Sequence, residues 1–271
     1  MICLKNVSFE YKNGNKALKG INLDVNQGEI VVVIGKNGSG KSTLGNVISG
    51  IYNYNEGEVK LDDEVIKNKK SKNQLRRKIG IVFQNPDNQI IFNRVYDDMF
   101  FMLDNLGQNK EEIPSIIEES LDRVGMRDYI NRNPHEMSLG QKQRIAIAEA
   151  LSINPSYMVF DEATSMLDAK GKKDIHAIIK DLSSRGIGVI FITNIMEEIL
   201  LADRLVVIDE GKIVKIIKKS DIIDNIEFLR EKGFYIPFII NVISMLEKKH
   251  ITVDSFDEQS ILSIIERNVA I

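Results

Sequence analysis

The sequence predicts an α/β fold with a parallel-rich core sheet, and three observations predict it. Near-continuous apolar, β-branched runs recur at residues 30–34, 79–83, 157–160, 189–193 and 205–208. Runs of this kind suit central strands covered on both faces. Helical patterns lie between them, as at 169–184, where Ile175, Ile178, Ile179 and Leu182 recur at helical spacing. Such alternation is the signature of an α/β layer. Finally, a glycine-rich turn joins the run at 30–34 directly to a helical stretch at 43–49, a strand–turn–helix unit of the kind that builds phosphate sites.

The remaining elements follow in chain order. Short strand patterns at 2–11, 20–25, 58–61 and 64–66 are joined by Gly/Asn turns and predict an N-terminal antiparallel β subdomain. Residues 93–153 are mainly helical, which predicts an inserted helical subdomain. After Ser220 the pattern is again helical: Pro237 suits a first helical turn, and Ile239, Val242, Ile243 and Leu246 follow at i, i+3, i+4, i+7. The expected organisation is therefore a domain over 1–219 and a short C-terminal helical extension over 220–271.

Composition narrows the function classes. The chain has 271 residues, 43% apolar and 28% charged, with a net charge of −3. This is globular composition, and the charge argues against a nucleic-acid binder, so no nucleic-acid partner is expected. The single cysteine, Cys3, leaves no intrachain disulfide or cysteine-based zinc site and points to a reducing compartment. The first six residues lack a long apolar segment, and no run approaches ~18 apolar residues; the apolar stretch at 236–246 carries Asn241 and Ser244. A membrane role must come through a partner. The basic residues at 67–72 and 76–78 read as a solvated loop and helix face, with attraction to anionic headgroups as the sharper alternative.

Two motifs carry chemistry. Gly35-Lys36-Asn37-Gly38-Ser39-Gly40-Lys41-Ser42, followed by Thr43, fits G-x-x-x-x-G-K-[ST]. Its glycines let backbone N–H groups close around phosphate oxygens at a helix N-terminus. Lys41 reaches the β- and γ-phosphates of ATP, and the Ser42 hydroxyl can ligate Mg²⁺. The second motif is Tyr157-Met158-Val159-Phe160-Asp161-Glu162, an apolar strand ending in two acids. Alone it reads as a strand entering a solvated loop. Beside the first motif, Asp161 becomes the Mg²⁺ carboxylate and Glu162 the base that polarises the attacking water.

With these in place the chain resembles the ABC ATPase family over residues 2–217. Gln84 looks like the Q-loop glutamine, which touches Mg²⁺ and the attacking water in the family. Met137-Ser138-Leu139-Gly140-Gln141 resembles the signature Leu-Ser-Gly-Gly-Gln, and Ser165-Met166-Leu167-Asp168 resembles the D-loop. Tyr11 stands where the family keeps an aromatic that stacks on adenine; packing on a neighbouring strand is its alternative role. The resemblance implies a head-to-tail dimer in which Ser138, Gly140 and Gln141 cap ATP held by the opposite chain.

The sequence departs from the family twice. Leu139 replaces a signature glycine, a cost if that position needs positive φ or close approach to phosphate. Asn194 stands where the family places its switch histidine; it can hydrogen-bond phosphate but carries no proton or charge. None of His135, His176 and His250 replaces it by position, and these read as surface or helix residues. Asn194 belongs to this chain's own nucleotide, Leu139 to the partner's. A homodimer would carry both departures in both sites, so a heterodimer with a second ABC ATPase is favoured, with slow hydrolysis at this chain's own site.

Residues 85–92, Asn85-Pro86-Asp87-Asn88-Gln89-Ile90-Ile91-Phe92, resemble the same stretch of energy-coupling-factor importers, including the cobalt-type importers. The tail from Glu227 to His250 resembles their C-terminal extension, which contributes to contact between the two ATPase chains. The resemblance implies a transmembrane subunit, a separate substrate-capture subunit for a vitamin or metal ion, and a peripheral position at the cytoplasmic face of the cell membrane. The pattern is closer to the first of the two ATPase types in such importers. Two other readings stay open: a nucleotide-gated subunit whose partner hydrolyses ATP, and a soluble ABC protein outside transport.

Overall fold

The computed structural model describes residues 1–251, 253 and 258–269. The remainder of the expected C-terminal extension, 252, 254–257 and 270–271, lies outside the described residues.

A six-stranded sheet forms the centre. β3 (Ile30–Gly35), β6 (Ile79–Val82), β7 (Tyr157–Asp161), β8 (Gly188–Ile192) and β9 (Arg204–Asp209) are parallel neighbours in the order β9-β3-β8-β7-β6. Their apolar runs are continuous because both faces are covered. In β3, Ile30, Val32 and Ile34 face one apolar core while Val31 and Val33 face a second. In β7, Met158 and Phe160 face the first core, and Tyr157 and Val159 the second. Each fully buried side chain of this size contributes roughly 1.5–3 kcal/mol relative to exposure.

The second core lies under an antiparallel sheet of β1 (Ile2–Glu10), β2 (Lys16–Val25), β4 (Glu56–Leu61) and β5 (Glu64–Val65), ordered β2-β1-β4-β5. The first core receives the helical insertion: α3 (Val95–Asn105), α4 (Ile113–Arg123) and α5 (Leu139–Ser152). α1 (Lys41–Ile48) follows β3, α2 (Lys69–Lys78) precedes β6, and α6 (Ala169–Ser184) spans the bounds its periodicity predicts, with the Asp168 side chain capping it. The basic stretch at 67–78 is thus largely helix α2, and its Arg76 and Arg77 bond the carbonyls of Gly50 and Leu106.

Two features lie beyond the sequence reading. β10 (Lys212–Lys218) adds an antiparallel edge next to β9. After residue 220 come α7 (Ile226–Glu231), α8 (Phe238–Lys248) and α9 (Glu258–Val269), and Ile222, Ile226, Leu229, Ile236 and Ile240 from the stretch through α8 join the first core rather than a core of their own. Pro237 sits just before α8 as its cap residue, not within its first turn.

Candidate nucleotide site

The chain leaves β3 at Gly35 and enters α1 at Lys41 through a tight loop. Gly40 has φ 105°, and a Cβ there would lie 2.5 Å from the Ala17 carbonyl oxygen, so only glycine closes this turn. Gly38 also takes positive φ, and nothing lies within 4 Å of where its Cβ would be, which leaves the loop's inner face clear for a ligand. Lys41 is 5% exposed and donates to the carbonyls of Gly35 (2.7 Å) and Lys36 (3.2 Å). Burial lowers its pKa, opposed by the nearby charges of Glu162 and Asp161.

The site assembles around this loop. Ser42 donates to Asp161 Oδ1 at 2.9 Å, joining the first turn of α1 to the end of β7. Burial raises the Asp161 pKa, while the Ser42 hydrogen bond holds it down. The next residue, Glu162, has φ +52°, a left-handed backbone uncommon for glutamate that costs of order 1–3 kcal/mol. Its N–H donates to Ile192 O at 2.9 Å, and its carbonyl accepts from Ser165 Oγ at 2.8 Å. The turn therefore aims its carboxylate at Asn194, whose Nδ2 donates to Glu162 Oε1 at 2.5 Å and to Asn37 Oδ1 at 3.3 Å. Gln84 Nε2 donates to Ser165 Oγ at 3.1 Å, so the residue after β6 reaches the same turn.

A cavity of about 320 Å³ is lined by Tyr11, Lys41, Ser42, Thr43 and Glu162, with Asn37, Gly38 and Gly40 in its wall. Tyr11 packs on its neighbours: its hydroxyl shares a 2.8 Å hydrogen bond with Thr43 Oγ1, and its ring lies edge-on to Phe9 and Tyr52. Ser39 Oγ is buried with no hydrogen-bond partner, an orphaned polar atom in a loop built for an anion. The donor set fits a nucleotide phosphate. The oxygens of Ser42 and Asp161 fit a Mg²⁺ ion that keeps its remaining places for phosphate and water.

Ser138, Gly140 and Gln141 lie elsewhere. With Leu139 and Asp168 they line a separate cavity of about 410 Å³ that shares no residue with the first. Ser138 is the N-cap of α5, and a reciprocal capping box ties it to Gln141. Its hydroxyl accepts from the Gln141 N–H and keeps its own proton free to donate. Leu139 is the first residue of α5, outside the positive-φ positions, and packs half-buried on the main core, so the positive-φ condition for a cost is not met.

The loop after Gln84 is wired to α5. Lys142 Nζ meets Asp87 Oδ1 at 2.7 Å, Gln143 Nε2 bonds Phe83 O at 3.0 Å, and Gln89 Nε2 bonds Ala146 O and Glu149 Oε2, both at 3.0 Å. Above them opens an apolar groove of about 430 Å³ lined by Ile81, Phe83, Ile91, Phe101, Met102 and Leu106; Ile91 is 74% exposed. Glu149 lies fully buried at its base with its pKa well above the usual carboxylate range, because burial and the neighbouring Asp98 both oppose its charge.

The family model described as ABC transporter matches residues 18–165. This chain belongs to the ABC transporter family. It is 41% identical, over 97% of its length, to the energy-coupling factor transporter ATP-binding protein EcfA1 of Mycoplasma capricolum, and it spans 64% of that relative's length. Among solved structures it resembles CbiO1 of Clostridium perfringens, part of the ABC transporter complex CbiONQ (TM-score 0.76, 31% identity, 89% of this chain and 97% of that one). It also resembles a dimeric ATP-binding cassette in a post-hydrolysis state bound to ADP and Pi (TM-score 0.72, 32% identity, 80% and 98%). The fold is that of an ABC ATPase cassette.

Of the cavity lining, sequence reading brought forward Tyr11, Asn37, Gly38, Gly40, Lys41, Ser42, Thr43 and Glu162 but not Asn15 and Ala17. It missed Glu198, which is 1% exposed and bonds Thr164, Thr193 and His176 behind the site. A glutamate beside Glu197 in a short polar–apolar stretch gives no sequence signal of burial. His176, expected to be a surface or helix residue, is on helix α6 and half-buried against Glu198.

Proposed function

We propose that this chain is the ATP-binding and hydrolysing subunit of an energy-coupling-factor type ABC importer, powering uptake of a vitamin or metal ion through membrane partners. The observation that carries the reading is the convergence of the Ser42–Asp161 pair, the Glu162 carboxylate and Asn194 on the phosphate loop. Lys41 and the amides of residues 36–43 would hold the ATP phosphates. Ser42 and Asp161, with Gln84 nearby, would hold Mg²⁺, which supplies charge neutralisation to the phosphates. Glu162 is the base for the attacking water, and Asn194 orients it.

The nucleotide is completed by a second chain, because the Ser138 cavity and the Lys41 cavity are separate surfaces of one molecule. The dimeric cassette bound to ADP and Pi supports this. A heterodimer is favoured: Asn194 cannot carry a proton, and a partner ATPase with its own switch residue gives the pair one full-strength site. The groove lined by Ile91 and Phe101 receives a transmembrane subunit, and its hydrogen bonds into α5 connect that subunit to Ser138. A separate substrate-capture subunit completes the importer. No described helix is long and apolar enough to cross a membrane, in keeping with a peripheral subunit on the cytoplasmic face.

The test is Mg²⁺-dependent ATP hydrolysis by the purified chain, alone and in the assembled transporter, with Glu162→Gln as control and oligomeric state recorded in parallel. Turnover lost in the variant with ATP binding kept supports the reading. Asn194 also favours a second reading, a nucleotide-gated subunit whose partner hydrolyses ATP: binding without turnover by this chain alone, with turnover of the assembled transporter unaltered by Glu162→Gln, would establish it.

A further inference from the structure

Behind the nucleotide site three chain segments converge on one buried carboxylate. Glu198 lies in a short 3-10 segment, Met196–Leu201, with 0% of its side chain exposed. Thr164, two residues after Glu162, donates its hydroxyl to Glu198 Oε1 at 2.5 Å. Thr193, immediately before Asn194, donates to Glu198 Oε2. His176, on α6, places Nε2 2.9 Å from Oε1.

A buried carboxyl group is costly unless its oxygens are satisfied, and here two hydroxyl donors and an imidazole nitrogen satisfy them. The donors are not incidental. Thr193 Oγ1 also accepts the N–H of Ile195 at 2.9 Å, which fixes the turn that displays Asn194. Thr164 lies inside the turn in which Glu162 takes its left-handed backbone, a turn that the Ser165 N–H closes onto the Glu162 carbonyl at 3.1 Å. These two turns come from adjacent strands, and their tips meet in the Asn194–Glu162 hydrogen bond. The front of the site thus carries the reacting pair and the back carries a clamp joining the same two turns.

We propose that Glu198 is a positioning residue for hydrolysis: through Thr193 and Thr164 it holds the turns bearing Asn194 and Glu162 in register. This rests on the roles given above to Glu162 and Asn194. Glu198 touches neither nucleotide nor water, so its loss should act on kcat and spare ATP binding, which belongs to the phosphate loop.

The experiment measures ATP turnover in the assembled transporter; where a second, different ATPase chain is present, its own general base is changed to Gln so that this chain's site is read. Thr193→Val keeps the side-chain shape and removes one donor. It should lower kcat about tenfold with KM for ATP within about twofold. Thr193→Ser, which returns the hydroxyl, should recover at least about half of the wild-type kcat. On an Asn194→Ala background, Thr193→Val should cost less than about a further twofold, because the pair acts as a unit. If Thr193→Val does not fold, Glu198→Gln, with equal volume and one acceptor turned donor, must show the same kcat-only loss. Unchanged kcat, or a full multiplicative loss on the Asn194→Ala background, overturns the proposal. Full turnover in Glu162→Gln would instead overturn the reading of the site itself.

Discussion

The amide of Asn194 bridges Glu162 and Asn37, and so spans from the general base to the phosphate loop. An amide can orient a carboxylate but cannot answer developing negative charge with a positive one. Asn194→Ala should therefore lower kcat about tenfold with little change in KM, as expected for an interaction realised in the transition state. Asn194→His should raise turnover above wild type, because imidazole can share a proton with the γ-phosphate. Steady-state kinetics of both variants in the assembled transporter, with the general base of any different partner ATPase changed to Gln, check this, and a slower Asn194→His would show that the loop is tuned to the amide. Asp161 sets the acid side of the profile. Burial raises its pKa, so the charged form that holds Mg²⁺ is lost on acidification earlier than for an ordinary carboxylate. The acidic limb of kcat/KM should accordingly lie above the usual carboxylate range, and a pH–rate profile reads it directly.

At the scale of elements, α5 joins two surfaces: its N-cap Ser138 lines the second cavity, proposed above to cap the partner's nucleotide, and its buried flank underlies the apolar groove. Ser138→Ala should cost about 1 kcal/mol in stability from the lost cap, and should weaken ATP-dependent dimerisation by more than that cap alone explains. Glu149 makes a second prediction. Burial holds its folded pKa well above the ordinary glutamate value of 4.5, so the native state keeps a proton that the unfolded chain releases. Stability is then fully present below about pH 4.5 and falls by about 1.4 kcal/mol per pH unit from there up to the folded pKa. Glu149→Gln keeps a donor toward Asp98 without that proton, so its Tm advantage over wild type should grow as pH rises from 5 to ~8. Thermal melts across that range test it; a constant difference would mean Glu149 is ionised in the fold. Neither role of α5's flank was legible in the sequence. The helix α6 was, to the residue, because Ile175, Ile179 and Leu182 repeat at helical spacing and Asp168 caps the start. β10 was not, because its Lys-Ile-Val-Lys-Ile-Ile-Lys run is an edge strand with one buried residue, so no alternation marks it. The nucleotide loop was legible because chemistry fixes its residue types. Glu149 and Glu198 were not, because their partners are distant in sequence and an isolated glutamate reads as surface.

At the scale of the molecule, the separation of the two half-sites decides how lesions distribute in the assembly. The two cavities are separate, and in the reading proposed above the Lys41 loop would bind this chain's own nucleotide while Ser138 would serve the other chain's. In a homodimer, Lys41→Ala would empty both sites, since both loops come from this chain. In the heterodimer proposed above it empties one, and the partner's loop still binds, capped by an intact Ser138. Measured stoichiometry of a fluorescent ATP analogue on the assembled transporter should therefore fall by about half on Lys41→Ala, toward one nucleotide per ATPase pair. Adding Ser138→Ala to the same chain then strikes the remaining site, so the two substitutions combine as independent losses. In a homodimer the second substitution would find nothing left to weaken. Complete loss of binding with Lys41→Ala alone would assign both nucleotide loops to this sequence. The slow step imposed by Asn194 would then be present twice, with no stronger partner site to carry the transport cycle.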